Sequence, residues 1–439
     1  MIQNARLIDS RGDLGVHSLL VSAQKIAAIN PDKLPEDIRI IDGASLSVLP
    51  GLIDAHVHIS QIPGSVYREE SLAEKKQRQA WYMRAYLSLG VTTIVDPGIS
   101  VEDARIVREL QEHTPSPDVL FIGPLIGPKD GYPSNVLPEL PGIENIEDVT
   151  EKISQFSELD PLGIKITLEE GVLQKHLPLF STVLQQEIAT LAEENEYDLY
   201  IHAMTTSTTQ QALDMKPHAL VHAPLTPNKR LARRIAAENV FVCSTLSISH
   251  ASLEIWDSVQ LPNPQLERSI LPDEYEAYFS EEFRAQFAQK GWETVAPDWP
   301  SWLGRLLFRE SVFRYQAKQA RRMLSTLHEE GVPLVLGSDT PGWPLIPYLM
   351  HGPSTHFEID LLHAAGLSAQ EIITAATATP AKMLGKEEEM GSLHIGNTAD
   401  LLIVEGNPLE DISALHRPVW VMKSGELRRA EEWMSSALD

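Results

Sequence analysis

Eight short apolar runs, separated by helical segments, leave few folds open to the middle of this chain. They are Leu52-Ile53, Val91–Val95, Val119–Ile122, Gly163–Thr167, Leu199–His202, Ala219–His222, Val240–Val242 and Pro333–Gly337. A helix through Trp81 to Leu89 stops at Gly90, just before the second run. The clearest helix carries Phe313, Ala317, Ala320, Leu324 and Leu327 on one face, ahead of Gly331. Eight such units in alternation predict a (β/α)8 TIM barrel, an α/β fold, rather than an open doubly wound sheet. No G-x-G-x-x-G, P-loop or G-x-S-x-G motif is present, which weakens nucleotide-binding and serine-hydrolase readings.

The two ends have another texture. Ser18–Ser22 and Lys25–Ile29 flank a tight connection and Ile38–Gly43 follows; near the other end Ala399–Val404 and Val419–Gly425 are separated by breakers such as Gly406-Asn407-Pro408. Short strands at both ends predict a small β-sandwich domain assembled from residues 1–50 and 390–439, with the barrel over 51–389. Residues 247–309 break the regular alternation and carry Trp256, Trp292, Trp299 and Trp302. A connection that long is usually functional or disordered, and four tryptophans argue for order. It is expected to fold as helices over the barrel mouth, with a dimer interface or a satellite core as the alternative.

Composition removes several classes of function. A formal net charge of -25, spread along 439 residues, opposes nucleic acid and anionic lipid as partners. A small-molecule substrate and a possible homo-oligomer are the remaining expectations. Cys243 is the only cysteine, so no intrachain disulfide and no CxxC site can form. Any metal must then be held by His, Asp, Glu or a modified side chain. The first residues show no basic stretch followed by an apolar run, and no segment approaches the roughly 18 apolar residues of a membrane span. A cytoplasmic protein is expected.

The polar residues sit at the ends of the apolar runs. His56 and His58 close the first, Lys165 lies in the fourth, His202 and His222 close the fifth and sixth, and Asp339 follows the eighth. In a barrel these ends converge on one face, where catalytic groups gather. Imidazole and carboxylate there suit zinc or a similar divalent ion. Asp339 alone could be a helix N-cap. Most of His113, His176, His328, His363 and His416 sit in helical or turn contexts, and all five read as packed or surface residues. A lysine inside Gly163-Ile164-Lys165-Ile166-Thr167 would bury an ammonium at high cost unless it snorkels or pairs. Burial also favours the neutral amine, which can add carbon dioxide and become an anionic carbamate ligand. Tyr132, His250 and Trp343 lie just after strand ends and are candidate substrate contacts.

Taken together, these elements resemble the amidohydrolase superfamily, in particular its imidazolonepropionase-like and Xaa-Pro dipeptidase-like members. The likeness lies in "PGLIDAHVH" at Pro50 to His58 and "GVTTIVDPG" at Gly90 to Gly98. It continues in "AATATPAKMLG" at Ala375 to Gly385 and "GSLHIGNTADLLIVEGNPLEDI" at Gly391 to Ile412. The resemblance implies two divalent ions, with zinc the first expectation. His56, His58 and Asp339 would bind the more buried ion and His202 and His222 the other, with Lys165 bridging as its carbamate. It further implies hydrolysis of an amide by a bridging hydroxide, with Asp339 as general base. The substrate classes are a dipeptide, an N-acyl amino acid or a cyclic amide. Lactone or ester cleavage would use the same site. A mononuclear deaminase of the superfamily lacks the lysine and has an acid soon after the fifth-strand histidine, whereas Ala203-Met204-Thr205-Thr206 follows here. A metal-free scaffold would have lost ligands. The chain departs from many relatives in its Trp-rich insertion and at Val221 in "LVHAP", where an acidic residue is common.

Overall fold

The structure is a computed structural model that describes residues 1–63, 70–135, 140–171, 176–254, 311–342 and 349–435. Its first strands are β1 (Ile2–Asp9), β2 (Gly12–Ser22), β3 (Lys25–Ile29), β4 (Ile41–Asp42) and β5 (Leu46–Pro50). The middle of the chain supplies β6 (Leu52–Asp54), β7 (Val91–Asp96), β8 (Asp118–Phe121), β9 (Leu125–Ile126) and β10 (Ile164–Thr167). It continues with β11 (Leu199–His202), β12 (Ala219–Leu220), β13 (Phe241–Cys243) and β14 (Leu334–Val335). The last strands are β15 (Leu401–Glu405), β16 (Pro418–Lys423) and β17 (Glu426–Arg429).

Strands from both ends form one eight-stranded sheet in the order β17-β16-β15-β5-β1-β2-β3, with β4 paired to β1. Strand β5 joins the two halves: it runs parallel to β1 and antiparallel to β15, where Leu49 faces Leu402 and Val48 faces Ile403. Ala23 and Gln24 connect β2 to β3, both at positive φ (48° and 67°). That geometry matches the twist of a two-residue hairpin. Leu7, Leu19, Val48, Leu401 and Ile403 form the buried core of this sheet. Two details differ from the sequence expectation. The strand expected over Ile38–Gly43 shrinks to Ile41–Asp42, since the exposed, proline-containing stretch before it has no apolar face to bury. Strand β1 was not legible because register shifts and Asn4 at φ 58° break its alternation.

The middle is α/β with parallel sheets. One has the order β6-β7-β8 and the other β14-β13-β12-β11-β10-β9. Alternate residues of the same strands enter two different apolar clusters. Leu52, Ile94, Ile201, Leu220, Val242 and Leu334 belong to the larger one. Ile53, Val95, Tyr200, Ala219, Phe241 and Val335 belong to the smaller. Strands buried on both faces read as continuous apolar runs, which is why they stood out in the sequence. Backbone bonds also link the two sheets at their margins: Leu162 N–H to Phe121 O and Gly123 N–H to Gly163 O, each 2.9 Å, and Ala55 N–H to Leu336 O, 3.0 Å.

The helix expected from Trp81 spans Leu72–Ser88, begun by a Ser71–Glu74 capping box and followed by Gly90 at φ 81°. Its polar first turns hid the start, although Arg78 and Gln79 are buried, Arg78 against Glu70. The periodic helix spans Ser311–Glu329 and buries Ala317, Ala320, Leu324 and Leu327. Among the described residues no helix is long and apolar enough to cross a membrane.

Gly337, just past β14, packs against the strand end that carries the paired histidines. A β-carbon there would lie 2.8 Å from His56 Cβ. Gly337→Ala should therefore lower unfolding free energy by about 1–3 kcal/mol, as overpacking does. Urea denaturation checks this, and an unchanged midpoint would show that the strand end yields.

Candidate metal centre

His56 and His58 follow β6, and the backbone ties them to the segment after β14: Asp339 N–H donates to His56 O (2.7 Å) and His58 N–H to Thr340 O (2.6 Å). Asp339 has φ 51°, a left-handed conformation that aspartate tolerates better than most residues. Its carboxylate thereby reaches both rings, with Oδ1 3.3 Å from His56 Nε2 and 3.2 Å from His58 Nε2. Asp54 fixes the same junction from behind. It accepts from Ser338 N–H (2.9 Å), Thr355 Oγ1 (2.6 Å) and His56 N–H (3.3 Å), and burial pushes its carboxyl up to about 6.

Among the described residues, His56, His58 and Asp339 form a group whose ligand atoms all lie within 4.8 Å of one another. His222 sits beside it. Its ring centroid is 4.8 Å from that of His56 and 4.5 Å from that of His202, and its Nδ1 is 3.7 Å from Asp339 Oδ2. Lys165 lies in β10 between Ile164 and Ile166, both in the larger cluster, so its side chain takes the opposite face, as alternation requires. Burial lowers its ammonium pKa to about 8. The histidines respond to the same confinement. Burial, then the charge of Lys165, pulls His56 well below the usual range; burial, then His202 and Lys165, does so for His222. Burial also opposes charge on His58, but Asp339 and Asp96 outweigh it and raise His58 to about 9.

Each imidazole is also held from outside the group. His56 Nδ1 bonds Val221 O at 2.9 Å, and His222 Nδ1 bonds Thr245 Oγ1 at 3.0 Å. His58 Nδ1 faces Asp96 Oδ1 at 3.5 Å, and His202 Nε2 meets Glu169 Oε2 at 3.1 Å. Burial pushes the Glu169 carboxyl up, but His202 and the Gly171 N–H together hold it below its usual value. His56 Nε2 is buried and makes no hydrogen bond. Such a nitrogen is costly unless something else engages it.

All six expected site residues outside the substrate contacts thus occur in one place: His56, His58, Lys165, His202, His222 and Asp339. Of the substrate contacts, Tyr132 lies with its ring against His202, centroids 5.1 Å apart, and burial raises its hydroxyl well above the ordinary value. His250 is half-buried on the helix Leu246–Glu254, its Nδ1 3.2 Å from Leu246 O. Trp343, Trp256, Trp292, Trp299 and Trp302 lie outside the described residues, as does most of the 247–309 insertion. Sequence reasoning missed Asp54, Asp96, Glu169 and Thr245. Asp96 closes an apolar strand just as the histidines do and could have been found that way. Glu169 lies two residues past β10, and Thr245, a β-branched residue at φ 40°, leaves no mark in the sequence.

The sequence profile of the amidohydrolase family matches residues 47–428. A dihydroorotase from Streptococcus thermophilus is 34% identical over 71 residues, covering 16% of this chain and 17% of that protein. An allantoinase from Enterococcus faecalis is 41% identical over 70 residues, covering 16% of this chain and 14% of that protein. The aligned stretch is thus less than a fifth of either relative's length. Among solved structures, a Xaa-Pro dipeptidase with bound methionine in its active site superposes with a TM-score of 0.74. That match has 21% identity and covers 98% of this chain and 99% of the other, a likeness of fold.

Proposed function

This chain belongs to the amidohydrolase family, and from that premise we propose that it is a metal-dependent hydrolase of a small amide. The observation that carries the proposal is His56 Nε2: buried, without a hydrogen bond, and beside His58 and Asp339 within ligand distance of one another. Nitrogen and carboxylate donors so placed fit a divalent ion, zinc foremost. The margin bonds between the two parallel sheets and the two apolar clusters support closure into a (β/α)8 barrel. In this reading residues 51–389 form the barrel domain, and 1–50 with 390–439 form the terminal β-sandwich.

His56, His58 and Asp339 would hold one ion and His202 and His222 the other, and Lys165, as its carbamate, would supply an anionic ligand to both. The metal pair, when bound, polarises the substrate carbonyl and makes a water acidic enough to attack it. Asp339 takes the proton of that water during attack and passes it to the departing nitrogen. A positioned base of this kind contributes about 10²–10⁴ in rate. Outer partners of this kind would hold the proton on the far nitrogen of a ring and leave the lone pair of the other nitrogen facing the ion. Tyr132, against His202, walls the pocket and excludes water from the reacting centre. Dihydroorotase, allantoinase and Xaa-Pro dipeptidase as relatives support a cyclic amide or a dipeptide as substrate; an N-acyl amino acid suits the same chemistry.

Metal analysis of the purified protein, followed by a panel of dipeptides, N-acyl amino acids, cyclic amides and lactones, tests the proposal. The expected result is about two ions per chain and amide turnover that is lost on chelation and restored by zinc. A chain that binds no metal, or a loaded enzyme that opens only lactones, would overturn it.

A further inference from the structure

The four imidazoles are not tied in the same sense. His56 and His58 each turn Nδ1 outward, toward Val221 O and Asp96, and bring Nε2 to Asp339, whereas His222 meets Thr245 Oγ1 through the same Nδ1 that lies 3.7 Å from Asp339 Oδ2. His202 is reversed, with Nε2 directed at Glu169 Oε2 and Nδ1 without a hydrogen bond among the described residues. A carboxylate can only accept, so its partner nitrogen must carry the proton and the other ring nitrogen must carry the lone pair. The Glu169 side chain is itself fixed, because its second oxygen accepts Gly171 N–H at 2.7 Å. It is 15% exposed and lies on the segment that leaves β10, the strand of Lys165. One backbone strand thus carries both Lys165 and the group that orients the neighbouring histidine.

We propose that Glu169 is the positioning residue of His202: it holds the Nε2–H and so presents Nδ1 to the metal pair, opposite in sense to His56 and His58. This rests on the metal-hydrolase reading of the site. The register explains why the ring needs such a partner. In the ladder Thr167 lies opposite His202 and Lys165 opposite Tyr200, so His202 ends its strand two positions beyond the lysine. From there an imidazole facing inward through Nδ1 points its far nitrogen toward the loop after β10, where Glu169 stands. Without an acceptor the ring would exchange tautomers and lose its fixed orientation, and outer partners of metal-bound histidines are worth about 10–100-fold in metal affinity.

The test combines metal titration with histidine side-chain nitrogen NMR on full-length, 15N-histidine-labelled protein, with His202→Asn used to assign the resonance. In the zinc-loaded wild type, His202 should show a protonated Nε2, and His56 and His58 a protonated Nδ1. Glu169→Ala should bind its second zinc about 10–100-fold more weakly in chelator competition, with the first site unchanged. Glu169→Gln, whose amide oxygen can still accept, should restore the His202 tautomer and most of that affinity. A purely structural role for Glu169 predicts instead an equal loss at both sites and no rescue of the tautomer. The inference is overturned by wild-type His202 protonated at Nδ1, or by a second zinc bound as tightly in Glu169→Ala as in wild type. Absence of any metal in the wild type would overturn the hydrolase reading and this inference with it. Two tightly held ions in both proteins would overturn this inference alone.

Discussion

Asp339→Asn should keep the fold and most of the metal while lowering kcat by at least about a hundredfold. The carboxylate lies 3.3 and 3.2 Å from His56 and His58 Nε2 and 3.7 Å from His222 Nδ1, where the proposed mechanism calls for a base. Asparagine tolerates the φ of 51° at this position about as well as aspartate does. The backbone bonds from Asp339 N–H to His56 O and from Gly342 N–H to Asp339 O do not involve the side chain. An amide oxygen can remain near the ion, but it cannot accept and release a proton at neutral pH. Steady-state kinetics with parallel metal analysis checks the result. Near-normal turnover would remove Asp339 from proton transfer.

Lys165→Ala should bind roughly one ion instead of two and lose activity by a similar or larger factor. Unmodified, the ammonium would face two divalent cations, a repulsion of several kcal/mol even with an effective dielectric of about 20. Burial already draws its pKa down to about 8, which makes the neutral amine accessible. That amine can attack carbon dioxide; a C–N bond forms, a proton leaves, and the carbamate gains two oxygens and a negative charge. Metal reconstitution in carbon-dioxide-free buffer should thus give poor activity, restored by bicarbonate. A small carboxylic acid should partly rescue the alanine variant. Density ending at the ammonium nitrogen in an active, fully metallated crystal would defeat the two-metal mechanism. A single-metal hydrolase using His56, His58, His202 or His222, and Asp339 would replace it.

What could be read from the sequence follows from burial. The eight runs read from the sequence are apolar on both faces, so a histidine, lysine or aspartate in them or at their ends is conspicuous, and the inward-facing residues emerged together. The residues that hold them did not. Asp54 hides inside the motif "GLIDAHVH", where the two histidines draw the attention. Glu169 is one of two adjacent glutamates after β10, and only the fold brings it to His202. Thr245 reaches His222 through its hydroxyl, placed there by a backbone angle that no residue type announces. The terminal sheet was legible as strands at both ends, but the bulged β1 was not, because irregular register erases the period of two.

Strand β5 has a bearing on how the protein is made. It leads through Gly51 alone into β6 and the paired histidines, and Gly51 N–H itself donates to Asp400 O at 2.8 Å. One of its two long edges is covered only by β15, which begins at Leu401. A ribosome adding about 5–20 residues per second therefore leaves that edge bare for roughly 20–70 s after Leu46 is polymerised. An unpaired strand edge is a template for pairing with other chains. During that interval the bare edge of β5 is open to such pairing. A transcript truncated upstream of Leu401 would yield a polypeptide whose β5, the strand leading into the paired histidines, never acquires that neighbour.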